Sequence, residues 1–79
     1  MPGLMTLDIE YERRYVRPTW PSQAGRQHIT AHLDLPVDDL DAAQRHALEA
    51  GATLADHQPQ PDVRVMIDPA GHLFCLFQN

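Results

Sequence analysis

One short alternating run holds most of the groups that could do chemistry. In His28-Ile29-Thr30-Ala31-His32-Leu33-Asp34-Leu35, which ends at Pro36, every second side chain is polar. On an extended backbone His28, Thr30, His32 and Asp34 share one face, and Ile29, Ala31, Leu33 and Leu35 share the other. Imidazoles, a hydroxyl and a carboxylate on one face can orient a small molecule or hold a cation. His32 either hydrogen-bonds within a sheet or meets a ligand. Asp34 either pairs with Arg64 across the sheet or takes part in recognition. Cys75 is the single cysteine, and it reads as a small buried hydrophobe or as a nucleophile. His72 lies in a turn, as a solvent-facing or backbone-capping residue, and His28, His46 and His57 belong to no motif. Asp38 and Asp39 look like paired carboxylates, yet they precede a helical run and capping explains them. The sequence has no Cys-His-Asp order with protease or hydrolase spacing.

These groups need elements to position them. Residues 4–16 alternate through Leu7, Ile9, Tyr11 and Tyr15 against Asp8, Glu10, Glu12 and Arg14, the pattern of a half-buried strand. Residues 17–26 are a connector. Pro18 and Pro21 deny donors to a ladder, and Trp20 either covers a core edge or offers an aromatic face to a ligand. Residues 27–35 form the opening strand. A helix follows over residues 40–50, capped by Asp38 with Asp41 three residues on. Its apolar stripe is Leu40, Ala43, Ala47 and Leu48, and Gly51 supplies the left-handed stop. Short strands are expected at 53–58, 63–67 and 73–77, with turns at 59–62 and at Asp68-Pro69-Ala70-Gly71. The last strand is apolar on both faces, as a central strand is. The whole is an α+β unit: an N-terminal strand, then a βαβββ module over residues 27–78, with a mixed sheet and one helix packed on one face.

Composition narrows the classes of function. A chain of 79 residues buries only about 60 % of its unfolded surface, so its core is marginal. One cysteine allows no internal disulfide, which leaves a metal or a partner subunit as the source of extra stability. The formal net charge is −5, and all six basic residues are arginine. That balance argues against nucleic acid and against a membrane surface. No apolar run reaches the roughly 18 residues of a membrane span, and the N-terminus does not read as a signal peptide. A cytoplasmic location is expected.

Three segments resemble the vicinal oxygen chelate superfamily, and within it the bacterial glyoxalase-like and bleomycin-resistance-type domains. His32-Leu33-Asp34-Leu35-Pro36-Val37-Asp38-Asp39-Leu40 is similar to the family's opening strand and helix entry. Ala50-Gly51-Ala52 is similar to its helix exit. Residues 68–76, Asp-Pro-Ala-Gly-His-Leu-Phe-Cys-Leu, are similar to its final turn and last strand. The connector from Tyr15 to Pro21 is similar to the one before the family's second module. The resemblance implies two βαβββ modules around a cavity, of which this chain carries the second, with residues 4–16 standing for the last strand of a first. A homodimer, docked or strand-exchanged, then replaces the missing half; alternatively the chain is a truncated, non-catalytic module.

In metal-dependent members the opening strand gives His or Gln and the last strand gives Glu. His32 falls on the first position and Cys75 on the second. Two chains would then offer His, Cys, His and Cys, a closed set suited to structural zinc. The expected function is small-molecule binding without a catalytic metal, in a cavity lined by Thr30, His32, Asp34, Arg64, Met66, Leu73, Cys75 and Phe77. The alternative is a metal-dependent lyase or dioxygenase, a divalent metal being held by His32.

Overall fold

A computed structural model describes residues 5–78. The elements are β1 (Leu33–Val37), α1 (Leu40–Glu49), β2 (Thr53–Leu54), β3 (Val63–Ile67) and β4 (Leu73–Gln78). They make one four-stranded mixed sheet in the order β1-β4-β3-β2. β1 runs parallel to β4, and β3 is antiparallel to both β4 and β2. This is the expected βαβββ module. β4 is central, which explains why its sequence is apolar on both faces. Pro36 is tolerated inside β1 because β1 is an edge strand.

The helix follows from local chemistry. Asp39 is the N-cap, and its Oδ1 accepts from Ala42 N at 3.1 Å. The expected cap, Asp38, is displaced by one position because β1 runs on through Pro36 and Val37. The carboxamide of Gln78, at the end of β4, accepts from Leu40 N at 3.3 Å, a second cap from across the fold. At the other end Gly51 has φ +107°. Gly51 N donates to Leu48 O and Ala52 N to Ala47 O, the paired bonds of a Schellman motif.

The helix covers one sheet face. Leu40, Ala52, Met66 and Leu76 form a core there, joined by Val37, Ala43, Ala47 and Phe74. Leu48 does not join the stripe and stays 43 % exposed. On the opposite face Ala55, Val65 and Leu73 form a smaller cluster with Ile29, Ile67 and Cys75. The sheet is thus packed on both sides, but the second side is covered only in part.

Three expected strands are corrected. Leu4 lies outside the described residues, and none of residues 5–16 is in a strand. Met5, Leu7, Ile9 and Tyr11 are 63–91 % exposed; residues 7–10 face the β1 edge across an open hollow and add no strand to the sheet. The opening strand also starts later, at Leu33 rather than residue 27. Residues 27–32 pair with no strand, so strict alternation does not bind them. Ile29 packs on the face opposite the helix, while Leu33 and Leu35 lie on the helix side and remain 41–42 % exposed at the sheet edge. β2 is two residues long instead of six. Beyond it, the Gln58 side chain donates to Ala55 O and Val65 O and accepts from Val65 N at 2.8 Å. A side-chain amide thus completes the backbone pairing of β3 where the strand stops.

Candidate functional site

The turn between β3 and β4 fixes the end of the sheet nearest His32. Asp68 Oδ1 accepts from Ala70 N and His72 N, and Gly71 N donates to Asp68 O. The connector is clasped to this turn. Tyr15 donates to Ala70 O and Arg17 donates to Pro69 O, each at 2.7 Å. The Tyr15 and His72 rings lie 5.4 Å apart. Farther along, Trp20 borders a shallow hollow with Leu54, Ala55 and Ile67, at the β2 side of the sheet.

Against that frame three reactive groups converge. Asp34 on β1 is the register partner of Cys75 on β4, so both side chains leave the sheet on the face away from the helix. His32 stands two residues before Asp34 and reaches it, with Nε2 3.3 Å from Asp34 Oδ1. One ligand atom from each of His32, Asp34 and Cys75 lies within 4.8 Å of the other two. His32 and Asp34 are exposed and Cys75 is half-buried. Burial, then the Asp34 charge, then a hydrogen bond to Asp34 raise the Cys75 pKa and keep it a thiol. Phe77 belongs to the same face and is half-buried.

The other expected lining residues are elsewhere. Met66 is fully buried under the helix. Arg64 is also on the helix side, donating to Gln44 Oε1, Pro61 O and Val63 O, with Asp41 4.0 Å away. It therefore forms no pair with Asp34. The reason is register: Val63, Val65 and Ile67 are the residues of β3 that oppose Phe77, Cys75 and Leu73, which puts Arg64 and Met66 on the other face. Leu73 is buried beneath the connector side of the sheet. Thr30 is exposed and borders a separate hollow with Tyr15, Pro18 and His72. The converging set is thus His32, Asp34 and Cys75, with Phe77 beside it.

The donors differ from those of the metal-dependent relatives implied above. There, Glu from the last strand suits magnesium, manganese or iron. Here the last strand offers a thiol, and the carboxylate comes from the opening strand. That set does not fit a hard cation, and no reaction step is derived through one. A larger hollow of about 600 Å³ runs along the β1 edge, bordered by Leu7, Ile9, His32, Leu33, Leu35 and Phe74 among others.

A family model described as "Glyoxalase-like domain" matches residues 6–77. No curated protein and no solved structure matches the chain.

Proposed function

Because the chain belongs to the glyoxalase-like domain family, within the vicinal oxygen chelate superfamily, we propose that it binds a small molecule on the sheet face away from its helix. It does so as half of a homodimer and without a catalytic metal. The observation that supports the reading is the uneven cover of that face. Val65 and Leu73 are buried there with Ala55, while at the β1 side His32 and Asp34 are exposed and Cys75 and Phe77 only half-buried. An apolar wall with a few convergent polar groups is the usual make-up of a ligand site.

One chain supplies one wall. β1 is an unpaired edge, and Leu33 and Leu35 beside it are two-fifths exposed. A second copy across a two-fold axis closes the hollow and covers this apolar edge. The rival reading is a metal-dependent lyase or dioxygenase with His32 as ligand. His32 lies beside a carboxylate, which favours that reading, but the thiol on β4 speaks against a hard-cation centre. The test is a set of backbone-amide NMR spectra recorded with α-hydroxy acids and catechols, small molecules that carry adjacent oxygens. Shifts at His32, Asp34, Val65, Cys75 and Phe77 are expected. Shifts confined to α1, or none, contradict the proposal.

A further inference from the structure

We infer that His32 Nε2, an Asp34 carboxylate oxygen and Cys75 Sγ form a site for a zinc-class cation within a single chain. The three atoms already lie within 4.8 Å of one another, and the His32–Asp34 pair is at 3.3 Å. Tetrahedral zinc, with bonds of roughly 2.0–2.3 Å, holds its ligand atoms about 3.3–3.8 Å apart. The separations seen exceed that by at most about 1–1.5 Å, a gap on the scale of side-chain rotation. The backbone is fixed where it matters, because Asp34 and Cys75 are register partners on neighbouring strands. Arg64 is on the other face, held by Gln44 and Asp41, so its charge does not neutralise Asp34 or repel a cation.

Donor chemistry sets the class of ion. Imidazole, carboxylate and thiolate together suit zinc, whereas magnesium and calcium take oxygen donors. One ligand comes from β1, one from the residue just before it and one from β4, all in one chain. This is neither the His–Glu pattern of metal-dependent relatives nor a His, Cys, His, Cys set shared by two chains. Binding replaces the Cys75 S–H bond by a sulfur–zinc bond, and the proton leaves to solvent, so affinity falls as pH falls. The inference stands whether or not a small molecule binds on the same sheet face.

The test uses the full chain, reduced and stripped by chelator. Zinc is titrated against a chromophoric competitor, and cobalt(II) is titrated separately and followed by absorption. Expected are one zinc per chain, a cobalt–thiolate charge-transfer band, and no comparable binding of magnesium. Cys75→Ser removes the band, and His32→Ala and the isosteric Asp34→Asn each weaken zinc by at least about tenfold, while His72→Ala and His46→Ala do not. Circular dichroism of each variant establishes that it is folded. Absence of stoichiometric zinc, one zinc per two chains, or a folded Cys75→Ser that keeps the cobalt band overturns the inference.

Discussion

At the scale of the residue, Cys75 and Asp34 govern each other. Burial raises the thiol pKa first, and the Asp34 charge and hydrogen bond raise it further. Thiolate is the reactive form, so the native thiol should alkylate slowly. Asp34→Asn removes the charge while keeping the shape. Its thiol pKa falls, and alkylation by iodoacetamide at about pH 8 should speed up several-fold in the apo protein. Rates read from mass spectra over a pH series check this; an unchanged or slower rate contradicts it. The identities of these residues could be read from the chain, but their pairing could not. The sequence leaves Asp34 either paired with Arg64 or free for recognition, and the choice depends on register, which sequence spacing within one strand does not carry.

At the scale of the element, the β3–β4 turn depends on its glycine. Gly71 has φ +93°, and a Cβ built there would lie 2.7 Å from Arg17 Cγ. Gly71→Ala therefore meets two obstacles, an unfavourable backbone region and the clasping arginine. It should cost about 1–3 kcal/mol in urea unfolding. Adding Arg17→Ala should recover part of the loss, because the contact disappears and the φ strain does not. A neutral Gly71→Ala contradicts this account. The turn itself was legible from Asp68-Pro69-Ala70-Gly71. The clasp was not, because Arg17 lies more than fifty residues away in the chain and only the fold brings it onto the glycine.

At the scale of the whole molecule, the chain leaves a row of large apolar side chains exposed. Met5, Leu7, Ile9 and Tyr11 precede a module whose edge strand also carries half-exposed leucines. The proposed homodimer would cover them, and association makes stability depend on concentration. Sedimentation equilibrium should give the mass of two chains, and the melting temperature should rise with protein concentration. A single-chain mass with a concentration-independent melt contradicts the homodimer. Deleting residues 1–11 distinguishes its two forms: dimerisation is lost if the arms are exchanged and retained if the sheet edges dock. Among the described residues no helix is long and apolar enough to cross a membrane.

The accessible cluster of His32, Asp34 and Cys75 divides what each level of description determined. The sequence alone determined the order of elements, the helix with its glycine stop, the β3–β4 turn and the family to which the chain is similar. Those features rest on local patterns: period, capping and turn chemistry act over a few residues. It also offers His32, Asp34, Cys75 and Phe77 among its candidate lining residues. Tertiary structure decided which side chains meet. Register across β1, β4 and β3 sent Met66 and Arg64 under the helix and brought Asp34 to Cys75. The arm of residues 5–16 has a strand's alternation but no strand's structure: alternation is local, whereas joining a ladder depends on how the arm approaches the β1 edge, and a hollow separates the two.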